Sequence, residues 1–159
     1  MPETERLIIK ELTYEDFDNL SEMLKDIEVM YAWEHSFSDY EIKKWIDNNI
    51  KSYREDKTGY FTIIEKKSGK FVGQAGLHYS MIPDKKILEI GYIIMKKFWN
   101  MGYAYEAGKV FIDYAFDKMG EKEIYALIRP ENYRSSGLAE KLGFKKKDFF
   151  IKNYNGKDM

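Results

Sequence analysis

The sequence predicts an α/β domain: a mixed but mostly antiparallel sheet with helices on its faces. Apolar residues recur every three to four positions in two early segments, near residues 17–27 and 42–50, as one buried helix face requires. Three strand-like runs, 60–65, 71–79 and 87–95, follow one another across short turns and therefore pair antiparallel. Behind them a strand–helix–strand unit runs from 87–95 through 103–118 to 124–128, which adds parallel pairing.

The first element is a strand at residues 7–12, stopped where Thr13 offers a hydroxyl cap and Glu15 and Asp16 favour a helix start. Phe17, Leu20, Leu24 and Ile27 then share one stripe. Residues 30–37 form an aromatic-rich connection carrying Trp33, Glu34 and His35, which reads either as the cover of a binding cleft or as an ordinary loop. Ser38-Asp39-Tyr40-Glu41 is a capping box, and it introduces a second helix whose Ile42, Trp45, Ile46 and Ile50 face one way.

Gly69 marks the first hairpin turn and Pro83-Asp84 the second. Ala107, Val110, Phe111, Tyr114 and Ala115 give the third helix its apolar face, and Gly120 ends it. After the short strand at 124–128 comes a loop at 130–134. Ser135 or Ser136 caps a short helix to Leu142, Gly143 stops it, and a last strand spans 145–154. Asn155-Gly156 is a strong hairpin signal, so Lys157-Asp158-Met159 should begin a returning strand. With three residues left, that C-terminal strand reads as cut short, or as completed by strand exchange in a homodimer.

A chain of 159 residues fits one domain, 1–159, able to bury roughly two thirds of its unfolded surface. With 26 basic against 27 acidic residues there is no polyelectrolyte bias, which argues against nucleic acid as a partner. No apolar run approaches the roughly 20 residues of a membrane span, and the expected location is the cytoplasm. Cysteine is absent, excluding disulfides and thiolate chemistry, and two histidines, His35 and His78, do not make a zinc site; no metal is expected.

The stretch 98–107 joins an apolar strand to an amphipathic helix. A helix start presents unpaired N–H groups and the positive end of the macrodipole, and Gly102 and Ala104 place no bulk before them. This is an anion cradle, a place where a pyrophosphate could sit. It is not a P-loop, because Gly102 to Gly108-Lys109 is one residue too long and Val110 stands where a magnesium-binding hydroxyl belongs. The dinucleotide fingerprint is missing as well.

Thr4-Glu5-Arg6-Leu7-Ile8-Ile9-Lys10, Glu89-Ile90-Gly91-Tyr92 with the 98–107 stretch, and residues 132–144 (Asn-Tyr-Arg-Ser-Ser-Gly-Leu-Ala-Glu-Lys-Leu-Gly-Phe) occur in an order and spacing that resembles the GNAT superfamily of N-acetyltransferases, in its RimJ/RimL-like branch. The resemblance implies a sheet with a V-shaped splay between two central strands, flanked by about four helices. It implies acetyl-CoA as co-substrate, its pyrophosphate held by backbone N–H groups of Asn100, Met101, Gly102, Tyr103 and Ala104. Tyr92, Ile93 and Ile94 would pair with the pantetheine amides as if with another strand, and Asn132 would touch the coenzyme. The chain departs from the branch at Asn100-Met101, where Gly-Lys is frequent, so a phosphate-binding charge is missing.

Acetyl transfer needs a base for the amine and a proton for the departing thiolate. Glu89 shares a strand face with Ile87, Gly91 and Ile93, and is either a cleft base or a buried structural carboxylate. Where many members of the superfamily carry a Tyr after the Asn, this chain has Ala139, and the resemblance shifts thiolate protonation to Ser135, which otherwise reads as a helix cap. His78 is a weaker candidate near Glu89, and Trp33, His35 and His78 are candidates for contact with the acceptor, a small-molecule or peptide primary amine. The expected reaction is direct attack in a ternary complex, since no cysteine is available to carry the acyl group. A non-catalytic acyl-CoA sensor with the same cradle is the alternative.

Overall fold

Four strands pair antiparallel in chain order: β1 (Leu7–Glu11), β2 (Gly59–Glu65), β3 (Phe71–Ile82) and β4 (Lys85–Ile94). The computed structural model describes residues 3–26, 28–30, 37–82, 85–126, 133–144, 153–154 and 157–158, giving only the backbone for 82, 133–136 and the last two pairs. The register aligns three small or aromatic positions across the sheet: Tyr60 of β2 is opposite Gly76 of β3, and Gly76 is opposite Gly91 of β4. His78 is paired with Glu89 in the same ladder. On the outer side of β4, Ile90 N–H donates to Tyr125 O at 2.9 Å and Tyr125 N–H donates to Leu88 O at 2.9 Å, a parallel bridge. The sheet is therefore mixed, as the strand–helix–strand unit requires.

The first two helices form where the caps place them. Thr13 and Asp16 make a reciprocal capping box around a short 3-10 turn, Tyr14–Asp16, which leads into α1 (Phe17–Leu24). Ser38 and Glu41 exchange bonds of 3.0 and 3.2 Å at the start of α2 (Asp39–Glu55). The third helix, α3, spans Tyr103–Asp117, and Gly120 follows it at φ +69°, a left-handed stop that suits glycine. The fourth, α4, spans Tyr133–Lys141. It begins before the position expected from Ser135 or Ser136, so both serines lie inside its first turn and neither is its N-cap. The local preference of serine for a cap yields to a helix that starts two residues earlier.

Strand alternation sorts the core onto two faces. Phe61 meets Phe111 of α3 with ring centroids 5.7 Å apart, and α3 lies on that face close enough that a Cβ at Gly108 would stand 3.8 Å from Ile90 Cδ1. On the opposite face Trp45 of α2 donates its indole N–H to Gln74 Oε1 at 2.9 Å, and Thr62 Oγ1 donates to Asp16 Oδ2 at 3.3 Å. At the C-terminus β5 (Asn153–Tyr154) and β6 (Lys157–Asp158) pair with each other, Asn153 opposite Asp158, so the hairpin expected at Asn155-Gly156 has both its arms within the chain. No helix among the described residues is long and apolar enough to cross a membrane.

Candidate active site

Two sites frame β4. The first lies on the α2 face. Tyr60 reaches from β2 across Gly76 toward Gly91, where a Cβ would fall 2.0 Å from the Tyr60 hydroxyl oxygen. Only glycine leaves room there. The Tyr60 ring packs between Trp45, 4.9 Å away, and His78, 5.7 Å away and stacked. Next to this aromatic row stands Glu89, 8% exposed, whose Oε2 is 3.3 Å from His78 Nε2. The approach suits an ion pair with a protonated imidazole but is not aligned as a hydrogen bond. Glu89 Oε2, His78 Nδ1 and Gln74 Nε2 are buried with no hydrogen-bond partner among the described residues. Buried polar atoms are almost always satisfied, so three on one face call for a polar guest.

Glu89 was expected on a largely apolar face, and within β4 that holds for Ile87 and Ile93. Across the ladder the face is polar, because Thr62, Gln74 and His78 come from β2 and β3. Periodicity within one strand does not reveal what the adjacent strand contributes. From the sequence Trp45 reads only as part of an apolar helix face, and Tyr60, Gln74 and Gly76 singly carry no site signal; their alignment depends on register. The available signal was the glycine at the middle of each of two consecutive strands, since interior strand glycines mark close approach.

The second site is the strand–helix junction. A 3-10 turn, Lys96–Phe98, closes β4, and the Trp99 indole donates to Ile94 O at 2.8 Å. Asn100 and Gly102 take positive φ, 64° and 80°, and Asn tolerates that left-handed geometry better than other side chains. Gly102 is the N-cap of α3 and has no side chain to occupy the first-turn N–H groups of Tyr103 and Ala104. A Cβ at Gly102 would lie 3.3 Å from Arg6 Nη2, so a side chain here would press on the guanidinium.

The strand residues expected beside pantetheine divide by alternation. Ile93 turns its carbonyl toward Gly73 of β3, where an added Cβ would be 2.2 Å away, and the Ile94 carbonyl accepts the Trp99 indole. Tyr92 directs its backbone to the side that Ile90 shares with Tyr125. Met101 is exposed, and Tyr103 is buried with its hydroxyl donating to Glu65. Hydrogen bonds from Ser68, first, and Tyr103 hold the Glu65 carboxyl below its usual range. Trp33, His35 and Asn132 lie outside the described residues, and Ser135 is described only as backbone within α4.

Residues 6–145 match the model of the acetyltransferase (GNAT) domain family. The chain is 32% identical over 146 residues to the uncharacterised N-acetyltransferase p20 of Bacillus licheniformis, covering 90% of this chain and 81% of that one. The crystal structure of a GNAT-family acetyltransferase from Bacillus anthracis superposes with a TM-score of 0.83 at 25% identity, covering 98% and 91% of the two chains. RimL, a ribosomal L7/L12 α-N-protein acetyltransferase solved with coenzyme A, shares the fold at a TM-score of 0.79 and 14% identity, covering 99% and 91%. The buried Glu89–His78 pair on β4 and the glycine-capped start of α3 that follows it belong to a chain of the GNAT acetyltransferase family, whose members transfer an acetyl group from acetyl-CoA to an amine.

Proposed function

We propose that this chain acetylates a primary amine by direct attack in a ternary complex, with Glu89 as the base. The observation that carries this reading is the buried Glu89 carboxylate on the α2 face of β4, its Oε2 3.3 Å from His78 Nε2 and without a hydrogen-bond partner among the described residues. An incoming ammonium satisfies that oxygen, and the aromatic row of Trp45 and Tyr60 favours a cation over a neutral guest.

Acetyl-CoA, when bound, supplies a thioester whose C–S bond is exchanged for the amide C–N bond. Glu89 takes one proton from the ammonium to free its lone pair and a second as the C–N bond forms, passing each in turn to solvent through His78. Asn100 to Ala104 hold the pyrophosphate, and the backbone of Tyr92 and its neighbours orients the pantetheine arm beside the base. Ser135, on α4, gives its hydroxyl proton to the thiolate and regains one from water. Asn132 steadies the coenzyme from the preceding loop, and Trp33 and His35 of the α1–α2 connection contact the acceptor. The acceptor is a small molecule or a peptide amine; the RimL likeness favours including protein N-termini among the trials.

The test is an amine and peptide panel incubated with acetyl-CoA and read by release of free thiol. One amine class should release thiol with the parent chain and fail to do so with Glu89→Gln. A parent chain that binds acetyl-CoA by calorimetry yet releases no thiol with any amine leaves only a sensor role.

A further inference from the structure

The N-terminal stretch Thr4-Glu5-Arg6 takes no part in the chemistry above, yet Arg6 is the side chain most firmly built into the junction. Its Nε donates to Glu106 Oε1 at 2.7 Å, its backbone N–H donates to Glu106 Oε2 at 2.9 Å, and its Nη1 donates to the Met101 carbonyl at 2.9 Å. The guanidinium lies over the Tyr103 ring, 4.4 Å from its centroid. Glu106 is fixed in turn by the Thr4 hydroxyl. Burial pushes the Glu106 carboxyl up, but the bonds from Thr4 and Arg6 outweigh it and hold the group below its ordinary range, so it remains a carboxylate.

These contacts use Nε and Nη1 and leave Nη2. That nitrogen stands 3.3 Å from where a Cβ at Gly102 would sit, in front of the N-cap, on a side chain still 44% exposed. A guanidinium held at Nε and Nη1 keeps its planar orientation and full charge while Nη2 still has N–H groups to give to a phosphate oxygen. The sequence had lost a cation at Met101; the fold brings another from β1's leading segment, 95 residues away.

We propose that Arg6 is a coenzyme-positioning residue: it clamps the Met101–Glu106 turn and offers Nη2 to the pyrophosphate of coenzyme A. This rests on the cradle at Asn100–Ala104 being the pyrophosphate site. The chemistry needs both functions of arginine, since lysine supplies charge without the three-way clamp.

The experiment compares the parent with Arg6→Gln, Arg6→Lys and Gly102→Val, each shown folded by circular dichroism. Calorimetry with coenzyme A is run at low and high salt, and kcat/KM is measured with acetyl-CoA and with acetyl-pantetheine, which lacks the pyrophosphate. Arg6→Gln should bind coenzyme A about 10- to 100-fold more weakly and with a shallower salt dependence. Its kcat/KM with acetyl-pantetheine should match the parent within about twofold, and Arg6→Lys should recover part of the loss. If Gly102→Val loses affinity while Arg6→Gln keeps it, the cradle stands and the role of Arg6 is overturned. If neither variant changes affinity, the cradle itself is wrong. Equal losses with acetyl-CoA and acetyl-pantetheine would make Arg6 a structural residue only and also overturn the proposal.

Discussion

His78 and Glu89 face each other directly across the β3–β4 ladder, with Nε2 and Oε2 3.3 Å apart on the face that receives Trp45 and Tyr60. A cross-strand pair of this kind is fixed by two backbones, so neither side chain has to be ordered when an amine arrives.

If the pair acts as one unit, its losses will not add. Glu89→Gln should lower kcat by about 10²- to 10⁴-fold while leaving coenzyme A affinity nearly unchanged. His78→Gln should cost less, and the double variant should fall short of the product of the two, with a coupling of about 0.5–3 kcal/mol in kcat/KM. Steady-state kinetics on the four proteins decide it, and strict additivity would mean that the two act separately.

Gly102→Val should weaken calorimetric coenzyme A binding at least about tenfold, because a β-branched residue at φ +80° costs about 1–3 kcal/mol and the turn must shift to relieve it. Unchanged affinity would remove this turn from the coenzyme site.

Gly91→Ala places a methyl 2.0 Å from the Tyr60 hydroxyl and 2.8 Å from Cζ, so the ring must leave the sheet face. The expected cost is about 1–3 kcal/mol by urea denaturation, together with a fall in kcat. Gly76→Ala should be worse, since its methyl meets the Gly59 carbonyl at 1.9 Å and backbone cannot swing aside. A Gly91→Ala protein with parental stability would show that Tyr60 is not seated over β4.

Glu106 gives the N-terminal segment an acid sensitivity. Its folded carboxyl is held below the ordinary range despite burial, by Thr4 and Arg6, so ionisation favours the folded state. The contribution is complete above the unfolded carboxyl value of about 4.3 and is lost as pH falls through the lower folded value. Glu106→Gln should therefore melt below the parent at neutral pH, and the gap should close progressively below about pH 4.3. A gap that stays constant from neutral to strongly acidic pH would show that the pair with Arg6 contributes no linkage.

Local chemistry made much of this protein readable from its residues. The Ser38–Glu41 box, the apolar stripe that starts at Phe17, the hairpin glycine Gly69 and the helix stop at Gly120 each act within a few residues, and each appears where its side-chain chemistry places it. Glu89 and the Gly102 junction were also visible, because a carboxylate among apolar strand residues and a small-residue helix start are local anomalies. Register was not visible. One residue of slip would turn every side chain of β3 to the other face, and no stretch of sequence states which rung is shared. Pairing alone decided that Tyr60, Gly76 and Gly91 line up and that His78 meets Glu89. Packing alone decided that Arg6 reaches Met101, Gly102 and Glu106, since a contact across some 100 residues has no local signature. The sequence by itself thus determined most elements, the family likeness and the glycine start of α3; the tertiary structure decided which side chains come together, because sheet register and helix docking depend on the summed burial of the whole core.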